Sequence, residues 1–225
     1  MKHLFYFLLL IITVSSCGSS CNKDKDKYEE VLFEFTVPLN ISPGIDTINV
    51  GQELTIIADF TDSLFDVLSQ KKYYLPNFNF KTVAVIQKLT NPSLDILDQT
   101  SAVGKFSFSN IIGSFSNFSA TFADVNYVYQ NNRYLFTGKI IPNEKGVFII
   151  RFYHNTGSKG STELPQALAP NVPGIKRFPL MRNIRFVFNN GNTHFNIYKD
   201  NVKERDPNEA TNWVESKATY TFIVK

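Results

Sequence analysis

Few side chains in this sequence carry reactive chemistry. Two cysteines stand four apart, Cys17 and Cys21, and a cysteine sulfur, as the thiolate, is a nucleophile that can take up an acyl or alkyl group. The body holds two histidines, His154 and His194, with no cysteine near them, whereas a zinc centre takes three or four ligands. Asp59, Asp62 and Asp66 are oxygen donors of the kind calcium accepts, but Asp62 equally suits the N-cap of a short helix. Serines alternate with phenylalanines around Phe106 and Phe108 without the Gly-x-Ser-x-Gly elbow of a nucleophile. A Ser-His-Asp triad or a carboxylate pair for glycoside cleavage can be assembled from distant residues, and no motif points to either. Glycine loops for phosphate are absent. The chain therefore reads as a non-enzyme with no cofactor and no metal site. Aromatics are the remaining resource: Tyr73, Tyr74, Phe78 and Phe80 form one cluster, and Tyr127, Tyr129, Tyr134 and Phe136 another. Such rings either stack against sugars or fill a core, and Tyr73, Tyr74, Tyr127 and Tyr134 are the candidate ligand-binding residues.

The setting of Cys17 gives its sulfur a use. Met1-Lys2-His3 is a short basic start, and Leu4 to Val14 is apolar apart from Thr13. That run falls short of the ~20 residues a membrane span needs and has the length of a secretory h-region. Val14-Ser15-Ser16-Cys17 then resembles the lipobox of bacterial lipoproteins, with Val14 where that family most often has Leu. The resemblance implies a signal peptide over residues 1–16, acylation of Cys17 and a membrane partner. Cys21 is a second candidate acceptor, although Gly18-Ser19-Ser20 before it lacks the aliphatic residue. A bridge between two cysteines four apart would brace nothing, so the disulfide use of exported chains does not explain them.

Residues 17–30 read as the lipidated cysteine and a charged tether. Asn22-Lys23-Asp24-Lys25-Asp26-Lys27 resembles the export signal of Bacteroidota lipoproteins, which implies an outer-membrane address with a periplasmic or cell-surface face. The signal contains only Lys2, which leaves 22 basic residues against 20 acidic ones. A nucleic-acid binder would show a basic stripe, so nucleic acid is excluded as a partner.

The body, residues 31–225, reads as all-β. Val31–Val37, Lys81–Lys88, Val147–Tyr153, Arg182–Phe188 and Ala218–Val224 are rich in β-branched and aromatic residues, as strands are. Asp46–Val50 and Glu53–Phe60 around Gly51-Gln52 predict a hairpin. Asn131-Asn132 predicts a two-residue turn that sets Tyr129 against Tyr134 and Tyr127 against Phe136, and Pro142–Gly146 predicts a second hairpin loop. Leu64, Phe65, Val67 and Leu68 predict a short helix near 62–69. A polar break near 91–103 is a candidate boundary between two subdomains. The stretch from Gly157 to Pro179 reads as a long loop, with Lys176, Arg177, Arg182 and Arg185 near it.

With its signal, its tether and the segment from Asp46 to Phe60, the chain resembles Bacteroidota-type lipoproteins with an immunoglobulin-like body. The resemblance implies an antiparallel β-sandwich behind an N-terminal signal helix, acting as a non-catalytic binding or structural module whose partner is a glycan or an envelope protein. A glycan-binding surface lipoprotein and a lipid-anchored glycan hydrolase are the alternatives.

Overall fold

The computed structural model describes residues 27–203 and 216–225; the expected signal helix, Cys17, Cys21 and Trp213 lie outside them. The described part opens with β1 (Lys27–Ser42). From Phe33 onward, Phe33, Phe35, Val37, Leu39 and Ile41 point inward and are buried, the period-two pattern of a half-covered strand. Residues 27–30, assigned to the tether on sequence, belong to this strand and pair with residues 175–178.

The elements that follow are β2 (Thr47–Ile48), β3 (Leu54–Thr61), β4 (Ser63–Asp66), β5 (Lys71–Tyr74) and β6 (Thr82–Lys88). Then come β7 (Thr100–Ser101), β8 (Phe106–Ile112), β9 (Ser114–Ser116), β10 (Ala123–Asn126), β11 (Val128–Gln130), β12 (Arg133–Pro142) and β13 (Gly146–His154). The chain closes with β14 (Thr162–Glu163), β15 (Ile175–Phe188), a single described α-helix, α1 (Phe195–Asn201), and β16 (Thr219–Val224).

These strands make two sheets packed face to face, a β-sandwich. The first runs β11-β12-β3-β1-β15-β14, with β4, β5 and β8 attached at its sides; the second runs β2-β16-β13-β6-β10-β9, with β7 attached. Most pairings are antiparallel, but β1 with β15 and β16 with β2 are parallel, so the sheets are mixed rather than purely antiparallel. Inward side chains of both sheets form one core, in which Phe60 and Phe136 of the first meet Phe152 and Ile86 of the second. Residues before and after 91–103 share it, so that segment does not divide two cores. β13 sits between β6 and β16 and is buried on both faces. Its outer side is covered by α1, where Ile149 packs with Leu89, Ile96, Tyr198 and Val202.

Three sequence expectations are corrected. The segment from Asp46 to Phe60 is not a hairpin: β2 pairs with β16 in the second sheet, whereas β3 pairs with β1 and β12 in the first. Pro142–Gly146 is likewise a corner between β12 and β13, which lie in different sheets. In both places a hairpin would set two apolar stripes side by side on one sheet. Crossing over instead sets them face to face, which is how a sandwich is filled. The helix near 62–69 is the strand β4 followed by a turn. Leu64 and Asp66 point in while Phe65 and Leu68 remain exposed, so the apolar spacing describes no buried helix face. Asp66 instead accepts from the backbone N–H of Glu34 at 2.7 Å and of Ser69 at 2.8 Å.

Candidate functional site

The turn Asn131-Asn132 folds as the sequence predicts. Both residues have positive φ, 49° and 59°, which asparagine tolerates better than most residues. Tyr129 lies opposite Tyr134 in the resulting ladder, and their rings are 4.8 Å apart. Tyr134 stacks on Phe60 at 5.2 Å and meets Phe80 edge-on at 4.8 Å. Tyr127 meets Phe136 at 6.2 Å. The four aromatics share a face, and that face is turned to the core.

The tyrosine hydroxyls decide what this packing builds. Tyr134 is 1% exposed; its hydroxyl donates to the carbonyl of Leu75 and accepts from the N–H of Phe78, both at 2.5 Å. It thereby pins the segment 75–80, which has no ladder of its own, against β12. Burial pushes this phenol up to about 12. Tyr129 donates to Oδ2 of Asp62 at 2.6 Å, and that hydrogen bond raises its pKa above the ordinary value. Asp62 is therefore no helix cap; it is a buried acceptor between β3 and β4. The Tyr127 hydroxyl is buried, which raises its pKa, and it faces Thr82 Oγ1 without a hydrogen bond of good geometry.

The pinned segment and the hairpin enclose a hollow of about 220 Å³ between Asn77, Phe78 and Asn79 on one side and Tyr127, Tyr129 and Tyr134 on the other. A second, of about 210 Å³, shares Asn79 and Phe80 with it and is lined also by Lys81, Asp124, Asn126 and Asn155. Asn77 and Asn79 are exposed. Together the hollows offer carboxamides, a lysine and a carboxylate beside aromatic edges. Asp124 is their one lining carboxylate, whereas glycoside cleavage uses two.

Of the four candidate tyrosines, Tyr127 and Tyr134 come together here, but as walls. With Tyr134 sealed, no flat platform of those two rings faces solvent, because cross-strand aromatic packing has consumed it. Tyr74 is 57% exposed and lies at the end of β5, opposite Ser63 and directly before Leu75, outside the lining of both hollows. Tyr73 faces away from the hollow, edge-on to Phe33 at 4.9 Å. Asn77 and Asn79, which alternate with Phe78 and Phe80, were missed on sequence; that alternation was the available signal.

The other reactive groups hold separate partners. Asp59 pairs with Arg133 at 2.6 Å, so Asp59, Asp62 and Asp66 do not converge, and among the described residues no three His, Cys, Asp or Glu side chains form a metal cluster. Arg177 pairs with Glu29 at 2.8 Å, and Arg185 with the buried Glu34 at 2.5 Å. A larger hollow, about 650 Å³, opens beside the Asp59–Arg133 pair between Pro38, Leu64, Phe65 and Lys72.

His194 bonds through Nδ1 to the carbonyl of Thr221 at 2.9 Å. His154 bonds through Nε2 to Thr162 Oγ1 at 2.9 Å, and burial lowers its pKa to about 4. The unfolded chain, with a histidine near 6.5, therefore binds the proton more readily than the folded one. Stability should fall as pH drops from about 6.5 toward 4, by at most about 1.4 kcal/mol per pH unit from this group. Urea unfolding of wild type and His154→Gln at pH 7, 5.5 and 4.5 checks this, with a flatter pH dependence expected of the variant.

No family model matches the chain, and no curated protein matches it. Among solved structures it is similar to the type II cohesin dyad from the adaptor ScaA scaffoldin of Acetivibrio cellulolyticus, at 10% identity over 65% of this chain and 48% of that one, with a TM-score of 0.26. It is also similar to a type II cohesin–X-dockerin complex from the same organism, at 10% identity over 68% of this chain and 99% of that one, with a TM-score of 0.27. The chain thus spans about half the length of the cohesin dyad.

Proposed function

We propose that this protein is a non-catalytic binding module held at the bacterial outer membrane by acyl chains on Cys17, and that the paired hollows beside Tyr129 take a glycan. The lipobox-like Val14-Ser15-Ser16-Cys17 supports the anchor, because it supplies an acceptor sulfur directly after an h-region. Metabolic labelling with a palmitate analogue tests it: wild type is expected to carry label and Cys17→Ala to carry none.

One observation carries the glycan reading. Asn77 and Asn79 stand exposed at hollows walled by Tyr129 and Phe78, and the exposed Tyr74, which lines neither hollow, directly precedes Leu75, whose carbonyl accepts from the Tyr134 hydroxyl. A carboxamide both donates and accepts, which suits a sugar hydroxyl, and the π face of an exposed ring such as Tyr74 suits the C–H groups on the apolar face of a sugar. The Tyr134 hydroxyl holds the backbone that carries the carboxamides, which limits the entropy lost on binding. A glycan array is expected to show binding that Asn77→Ala, Asn79→Ala and Tyr74→Ala each weaken by about tenfold or more, about 1.4 kcal/mol. Binding indifferent to all three substitutions, or no binding at all, would remove the glycan reading and leave the anchor untouched.

A further inference from the structure

β1 is longer than the core it serves. Its buried register begins at Phe33, and the six residues before that, Lys27 to Leu32, run in parallel with Ile175–Leu180. At about 3.3 Å per residue this extension reaches about 20 Å beyond Phe33. On one of its faces Tyr28 stacks on Phe178, centroids 5.7 Å apart, yet the two rings are 69% and 43% exposed. Leu32, 38% exposed, continues the same face two pleats on. Lys176, paired with Tyr28, and the exposed Arg182 follow along β15, and Glu30 is the acid between Tyr28 and Leu32. Beside this face a hollow of about 350 Å³ is lined by Ser161, Leu164 and Phe178 together with the charged Glu30, Lys159 and Glu163. Val31 packs against the core from the other face of this extension, so the apolar side chains left in water on the outer face call for something else to cover them.

The chain itself indicates what that is. Nine residues lie between Cys17 and Lys27, and the ten steps from one to the other make a link of about 35 Å fully stretched and roughly half that as a coil. It joins the fold at the end of the extension, one residue from Tyr28. A bilayer holding acyl chains on Cys17 is therefore always within reach of this face. Tyrosine and phenylalanine beside basic residues are the chemistry of a headgroup interface: the rings settle among glycerol and upper acyl segments while the cations meet phosphate. We propose that the face formed by Tyr28, Leu32 and Phe178 lies against phospholipid headgroups in the acylated protein, so that the body stands on the membrane in one orientation. The proposal rests on the acylation of Cys17 proposed above.

The test uses the full acylated chain carrying Cys21→Ser, reconstituted in vesicles of phosphatidylethanolamine and phosphatidylglycerol. A polarity-sensitive fluorophore is placed on Ser161→Cys, beside Phe178 but outside the aromatic pair, and, as a control, on Val128→Cys at the β11–β12 hairpin. Spin-labelled lipid is expected to quench the probe at 161 several-fold more than the probe at 128, and Tyr28→Glu with Phe178→Glu is expected to abolish the difference while palmitate label is retained. Equal quenching at both positions in labelled protein overturns the proposal, as does quenching at 161 that survives the double substitution. A probe at 161 shielded from water but not quenched by lipid would mean that a second copy covers the face, and also overturns it. Absence of palmitate label would sink the anchor reading itself, which the other outcomes leave standing.

Discussion

Phe136→Ala is expected to lower the free energy of unfolding by about 3–5 kcal/mol. Phe136 is 0% exposed on β12 and stands where the two sheets meet. Its ring is 4.9 Å from Phe115, 6.2 Å from Tyr127 and 6.5 Å from Phe152, three rings brought in by three different segments. Removing it deletes the buried area and leaves a void that none of the three can close without losing its own packing. A domain of this size holds only about 5–15 kcal/mol in total, and at about 2–4 °C per kcal/mol its melting temperature should fall by about 10 °C. Phe118→Ala is the control: Phe118 is 53% exposed, and its truncation should cost well under 1 kcal/mol. Urea melts of the two variants give the comparison, and equal costs would mean that Phe136 is not where the sheets are joined.

The second large effect is expected at Gly113, the corner between β8 in the first sheet and β9 in the second. Its φ is +69°, and an added Cβ would lie 2.2 Å from the backbone oxygen of Asn126 and 3.2 Å from the Phe136 ring. The ring can give way, but the carbonyl cannot, because Asn126 is paired with Ser114 and its own side chain bonds to Ser114 and Ser116. Left-handed backbone strain and forced overpacking together put the cost of Gly113→Ala at about 2–5 kcal/mol. Gly51 separates the two contributions. It also has positive φ, +81°, but nothing lies within 4 Å of its would-be Cβ, so Gly51→Ala should cost only about 1 kcal/mol. Thermal unfolding of both variants side by side reads the steric part as the difference.

Individual strands were legible because their residues meet only local requirements. β6, β13 and β16 appear where β-branched and aromatic runs predicted them, and the Asn131-Asn132 turn sets Tyr129 against Tyr134 as its length demands. Sheet membership was not legible. Gly51-Gln52 permits a sharp reversal whether the next strand pairs with its predecessor or crosses to the opposite sheet, and the choice depends on β16, more than 160 residues away. The 62–69 helix failed for the same reason: Asp66 suits a helical turn until Glu34, 32 residues earlier, offers its N–H. At the candidate site the Tyr127 and Tyr134 positions could be read from alternation. That Asp62 receives Tyr129, and that Leu75 and Phe78 share the Tyr134 hydroxyl, requires the 75–80 segment to be carried onto β12 by β4 and β5, information that no window of neighbouring residues holds.

The parallel ladder between β1 and β15 also governs the order of assembly. Glu29 and Arg177, which join across it, are 148 residues apart, so β1 gains this neighbour only after that much further chain has become available to fold. Closing so wide a loop costs about 4–5 kcal/mol of chain entropy beyond a constant, and such distant pairings form slowly. During that delay the first strand, with Phe33, Phe35 and Val37 uncovered, is open to passing chaperones and proteases, and a chain cut short before Ile175 would leave it permanently without the neighbour it runs beside.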